Sequence, residues 1–189
     1  MKEPEATDFS FRSEDHTYWL AGVRLPSVTE ILRACGLVFQ GQESYLWRGR
    51  VIHRCCELLA RGLLDWRSVD PRILPWVQSY DKFLQHQKWI AHAVEFSSYS
   101  KSYFFAGTWD ADFQDGWLID LKSGGAAKWH KLQIGGYWHL NGEHRKTRCG
   151  TLYLQDDGAI ARLVEHNGRE GWRDFQTFLN YYNLKERYE

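Results

Sequence analysis

Asp110, Asp120 and Lys122 stand in a stretch, residues 107–125, that reads GTWDADFQDGWLIDLKSGG. Asp120 and Lys122 are two apart, so on a strand of period two they project from one face while Leu121 between them points to the other. Two runs of alternating character, 108–113 and 117–121, flank Gln114-Asp115-Gly116, whose Asp-Gly step supplies the positive torsions of a tight hairpin. Across that hairpin the Asp110 carboxylate is brought towards that of Asp120. Two carboxylates held together repel, and they lose charge by mutual pKa elevation unless a cation sits between them. A hard divalent ion with oxygen ligands is the economical explanation, and Lys122 beside it supplies fixed positive charge for an anionic substrate. An Asp-x-Lys alternation by itself is more often a solvated surface hairpin, so the surrounding elements carry the decision.

Upstream, residues 1–7 read as a disordered leader and 8–189 as one α/β domain. The alternation in FSFR and HTYWL predicts a small antiparallel β-unit over 8–25. Pro26 breaks it, and Ser27-Val28-Thr29-Glu30 has capping-box spacing, opening a short helix to about 34. A second helix over 44–61 has apolar residues at helical spacing and Gly62 as its stop. It sets Gly49 and His53 four apart on one face. Glu57, a turn further on, suits a helix-surface ion pair or an orienter of His53. Asp70-Pro71 opens a third helix to about 89, and 91–99 reads as a strand with Glu95 in its middle. Beyond Gly124-Gly125 come a helix over 128–141, with Gln133 and Tyr137 four apart, a hairpin of 151–154 and 159–164, and an amphipathic helix over 170–185.

Composition narrows the function classes. The 189 residues carry 24 basic and 24 acidic side chains, a net charge of zero, so no global basic field marks a nucleic-acid partner and any such binding needs a local patch. Aromatic residues make 16%, enough for a bulky core or for stacking platforms. No apolar run approaches membrane-spanning length, and the acidic, Pro-containing start is unlike a signal or transit peptide, which together predict an intracellular protein without a membrane partner. Cys35, Cys55, Cys56 and Cys149 show no C-x-x-C spacing and read as free core thiols.

The order of these pieces resembles the PD-(D/E)XK nuclease superfamily in its RecB-like, phage-exonuclease branch. The matching pieces are GRVIH (49–53), Glu95, GTWD (107–110), IDLKSG (119–124) and LQIGGY (132–137). HTYWLAGVRLPSVTEIL resembles the opening region of small stand-alone members of that branch, the mitochondrial genome maintenance exonucleases among them. The resemblance implies a restriction-endonuclease-like core, a central mixed sheet flanked by helices with an N-terminal β-hairpin. It implies a metal-dependent deoxyribonuclease using Mg²⁺, with Mn²⁺ substituting. In it Asp110, Asp120, the Leu121 carbonyl and His53 hold the metal. Lys122 positions or helps deprotonate the attacking water, Glu95 binds a second metal or a water, and Gln133, Tyr137 and Ser123 contact DNA or orient the site. The single downstream cysteine, Cys149, leaves no ligand set for the iron–sulfur cluster of some relatives.

For DNA, as a single strand or a duplex end, Lys128, Lys131, Arg145, Lys146 and Arg148 follow Lys122 with only Glu143 opposing. This is equally a candidate phosphate patch and a solvated face. The resemblance further implies a bacterial or phage-infected cytoplasm, a role in DNA repair or recombination, and any helicase partner as a separate chain. Because no recognition domain is evident, an exonuclease is expected. A flap- or branch-specific endonuclease and a non-catalytic DNA-end binder remain the alternatives.

Overall fold

The computed structural model describes residues 8–38, 43–142 and 148–188; the leader expected over 1–7 lies outside them. The chain opens with β1 (Phe9–Arg12), β2 (Thr17–Leu20) and β3 (Val23–Leu25), an antiparallel sheet. The expected hairpin gains its third strand because Ala21 and Gly22 both take positive φ, 49° and 79°, the torsions of a two-residue reversal. α1 (Val28–Ala34) begins on a complete capping box, with Ser27 Oγ accepting from the Glu30 N–H and the Glu30 carboxylate accepting from the Ser27 N–H.

α2 (Glu43–Ala60) stops where Gly62, at φ 71°, lets the Leu63 N–H reach back to Leu58 C=O. α3 (Leu74–Gln87) starts later than Asp70-Pro71 predicts. The Asp70 carboxylate takes the Arg72 N–H and holds a turn, leaving Pro75 in the helix's first turn. It also ends earlier, at a left-handed Lys88, so that Trp89 turns inward onto Phe83, Phe113 and Trp117.

A five-stranded mixed sheet follows in the order β4 (Ala91–Ser100), β5 (Phe105–Phe113), β6 (Trp117–Lys122), β7 (Arg148–Tyr153), β8 (Arg162–His166). All neighbours are antiparallel except β6 and β7, whose parallel pairing needs the crossover that α4 (His130–Leu140) supplies. α5 (Gly168–Tyr188) lies against α4. Helices cover both faces. α2 and α3 bury Ile52, Val77 and Tyr80 with Phe113, Ile119 and Leu121, while α1, α4 and α5 bury Val28, Ile134 and Phe175 with Trp109 and Leu118.

Strand β6 keeps strict alternation, with Trp117, Ile119 and Leu121 on the α2/α3 side and Leu118 on the other, so Asp120 and Lys122 follow the parity of Leu118. Strand β5 does not. Trp109 and Ala111 share parity yet pack into opposite clusters, so the strand changes face between them, at Asp110. The four cysteines are free, Cys56 and Cys149 being buried. Among the described residues no helix is long and apolar enough to cross a membrane.

Candidate active site

Asp110 sits where β5 and β6 part. Their pairing runs through Asp112↔Leu118 and Ala111↔Ile119. One step on, where Asp110 would meet Asp120, the Leu121 N–H instead donates to Asp110 Oδ2 at 2.5 Å. The other oxygen lies 2.9 Å from His53 Nδ1, so a single carboxylate ties α2 to β6. The Leu121 carbonyl shares a strand edge with that N–H and faces the same side, since the next carbonyl, of Lys122, is taken across the sheet by Leu154. A Cβ on Gly49 would stand 3.9 Å from Ser123 Oγ, so the Gly49–His53 side of α2 runs beside the end of β6.

Glu95 enters from β4. The register Val94↔Ala111 and Phe96↔Trp109 sets it across from Asp110, and its φ of 51° is left-handed backbone in mid-strand. For a non-glycine residue this costs on the order of 1–3 kcal/mol. Both strands therefore depart from regular geometry at the same point, and ligand atoms of His53, Glu95 and Asp110 all fall within 4.8 Å of one another. Asp120 stands beside this trio with its Oδ2 2.7 Å from Lys122 Nζ, the side chains 4% and 19% exposed. That contact is a largely buried ion pair.

Electrostatics divides the three acids. Burial pushes the Glu95 carboxyl up to about 8, helped by the negative charge of Asp110. Burial likewise raises Asp120 to about 6, with Lys122 pulling the other way and Asp110 adding to the rise. For Asp110 burial also works upward, but His53, Lys122 and the Leu121 N–H outweigh it and hold the group below the usual carboxylate range. Burial opposes a charged His53, yet Asp110 overcomes it and raises the imidazole. The protein thus gathers three carboxyls and neutralises one. Three carboxyls, two of them raised by burial, and one imidazole fit an oxygen-preferring divalent cation.

Tyr137 and Gln133 lie behind this site, each 5% exposed, with Gln133 Nε2 donating to the Tyr137 hydroxyl at 2.9 Å. Tyr137 fits under β5 because residue 107 is glycine, where a Cβ would come within 2.8 Å of its ring. Burial first, and then the charge of Asp120, raise the Tyr137 phenol well above its usual range. Glu57 is ion-paired with Arg54 and, at 3.1 Å, with Arg61.

The expected basic patch is distributed differently. Lys128 is exposed near the site. Lys131 is held by Asp174 at 2.9 Å. Arg148 pairs with Glu165 and lies in register with Trp117, five residues from Lys122 and so roughly 16 Å away at the strand rise. Glu143, Arg145 and Lys146 lie outside the described residues.

Several neighbours of the site carried no assignment in the sequence. Trp129 places its ring 5.7 Å from Lys122 Nζ, and His130 Nδ1 meets the Tyr153 hydroxyl at 2.8 Å. Burial, with Lys122 and His166, pushes His130 down to about 4, keeping it neutral at physiological pH. Tyr18 bonds Thr108 at 2.8 Å and Thr108 meets Ser97 at 2.6 Å, fastening the N-terminal sheet to β4 and β5 beside Glu95 and Asp110. Their places beside the site follow from the start of α4 and from register between distant strands, which no local pattern announces.

The helix-flanked mixed sheet that carries these acids at its β5–β6 junction is a fold shared with solved exonuclease structures. The chain is similar to the exonuclease LHK-Exo of Laribacter hongkongensis in complex with dAMP, with a TM-score of 0.50 at 11% identity over 85% of this chain and 87% of that one. It is equally similar to a candidate exonuclease from Eubacterium rectale, with a TM-score of 0.50 at 8% identity over 84% and 73%. At these identities the likeness is one of fold. No protein-family model and no curated protein sequence matches the chain.

Proposed function

We propose that residues 8–189 form a metal-dependent deoxyribonuclease domain that hydrolyses DNA phosphodiester bonds, working as an exonuclease. The observation that carries this reading is the convergence of His53, Glu95 and Asp110 within 4.8 Å, with the Asp120–Lys122 pair alongside. His53, Asp110, Asp120 and the Leu121 carbonyl would hold Mg²⁺ or Mn²⁺, and Glu95 completes the set. A divalent cation held there lowers the pKa of water and offsets charge on the phosphoryl oxygens. Lys122, tethered by Asp120 and facing Trp129, presents its ammonium to the scissile phosphate and orients the attacking water. His53 fixes the rotamer of Asp110 through the Nδ1 contact. Gln133 and Tyr137 support Asp120 from behind.

Asp120→Asn and Lys122→Ala are expected to abolish Mg²⁺-dependent cleavage of labelled DNA while keeping the circular dichroism spectrum of the folded wild type. Full activity in either purified variant refutes the assignment. An end-blocked circular substrate separates the modes of attack, since an exonuclease leaves circles intact and a branch-specific endonuclease does not require ends.

A further inference from the structure

Many of the cations in this chain are already neutralised. Arg24, Arg54, Arg61, Arg72, Lys131 and Arg148 each meet a carboxylate. Arg48, Lys128 and Arg162 meet none among the described residues, and all three line one continuous groove beside Lys122. A hollow of about 410 Å³ is bounded by Arg48, Trp76, the loop after Lys122, Tyr153 and Arg162. A second of about 510 Å³ shares Ala126, Tyr153 and Arg162 with it and continues to Lys128. Tyr153, which lines both hollows, is the register partner of Lys122, so the groove runs along the end of the strand that carries the proposed catalytic ammonium. Asp156 is the one carboxylate among its lining residues.

The cations are placed on rings. The Arg48 guanidinium lies 5.0 Å from the centroids of both Trp76 and Tyr45, and that of Arg162 lies 4.8 Å from Tyr153. Arg48 Nε is buried without a hydrogen-bond partner. Flat guanidinium and aromatic faces beside unpaired positive charge suit a chain of phosphates whose bases are free to stack. A duplex keeps its bases stacked on one another and offers no such faces.

We propose that this groove binds a single-stranded segment of the nucleic acid continuous with the scissile phosphate, Arg48, Lys128 and Arg162 taking phosphates and the rings taking bases. Its position relative to the chemistry rests on the nuclease reading; its binding does not.

The test is fluorescence anisotropy with a labelled oligothymidylate and a blunt duplex of the same length, in the Asp120→Asn background so that cleavage does not intervene. Arg48→Gln, Lys128→Gln and Arg162→Gln are each expected to weaken single-strand binding severalfold and to reduce the slope of log affinity against log salt by about 0.7. Arg148→Gln is expected to change neither. Arg48→Lys should restore the salt slope but not the full affinity, because it keeps charge and loses the planar face. Lys128 and Arg162 are exposed, so their removal leaves the core intact. The groove is refuted if the parent does not bind the single strand, if the three variants bind like the parent, if duplex binding falls in parallel, or if Arg148→Gln weakens binding equally. Groove losses in a chain that never cleaves would sink the nuclease reading alone; cleavage without groove losses would sink the groove alone.

Discussion

At Glu95 a left-handed backbone and a carboxyl pushed up to about 8 coincide. Between its ordinary value of 4.5 and about 8 the folded state keeps a proton that the unfolded state has released. In the metal-free protein, then, stability falls as pH rises through that window and levels off above it. Glu95→Gln removes the ionisation from both states. Its melting temperature in EDTA should therefore exceed wild type by a margin that grows from about pH 4.5 to pH 8, each ~1 kcal/mol showing as about 2–4 °C in a chain of this size. The same variant should bind Mn²⁺ more weakly and cleave more slowly. A pH-independent margin in differential scanning fluorimetry would remove Glu95 from the site. Asp120 and Lys122 were readable in the sequence because strand parity sorts them, and Asp110 because the Gln114-Asp115-Gly116 turn folds its strand back beside theirs. That Glu95 joins them was implied by the resemblance alone, and the left-handed backbone that turns it there was not legible, because nothing in AHAVEFSSYS announces a positive φ at its centre.

At the scale of elements, the site depends on α4 being held close to both the sheet and α5. Gly135 meets Gly171 backbone to backbone, where an added Cβ would stand 2.1 Å from the Gly171 carbonyl carbon. No rotamer change relieves such a contact, so Gly135→Ala should cost ~3 kcal/mol or more and lower the melting temperature by about 6–12 °C. Gly124→Ala, where an added Cβ meets nothing, should leave the melting temperature unchanged in the same thermal scan. A neutral Gly135→Ala would mean that α4 and α5 pack less closely than described. Most element positions were legible because caps and periodicity are local: Ser27 with Glu30, Gly62, and the Gln114-Asp115-Gly116 turn, where Gly116 takes φ 82°. The start of α3 was misplaced because Asp70 has a side-chain bond to Arg72 available that competes with the helix.

Across the whole molecule, zero net charge conceals a centre where acids from three strands and an imidazole from a helix converge. A divalent cation bound there would offset the penalty on Glu95 and Asp120, and that penalty grows as pH rises past their ordinary values, 4.5 and 3.8, towards about 8 and about 6. Mn²⁺ should therefore raise the melting temperature more at pH 8 than at pH 5.5, while Asp110→Asn should abolish the difference. Calorimetric titration should show proton release on binding, larger near pH 7 than near pH 9, where Glu95 is already ionised. Equal thermal shifts at the two pH values would show that the cluster is not the metal site.

What the sequence determined by itself was everything set within a few residues. The hairpin, the shared face of Asp120 and Lys122, the capping box and the helix stops all follow from the covalent neighbours and the backbone period. Tertiary structure decided which charges remain available. Lys131 and Arg148 are neutralised by Asp174 and Glu165, which follow them by 43 and 17 residues, whereas Arg48 and Arg162, from α2 and the edge strand β8, are brought to one groove and left unpaired by carboxylate. The physical reason is range: propensity and parity act along the chain, but a carboxylate's charge is set by whatever folding brings within a few ångströms of it.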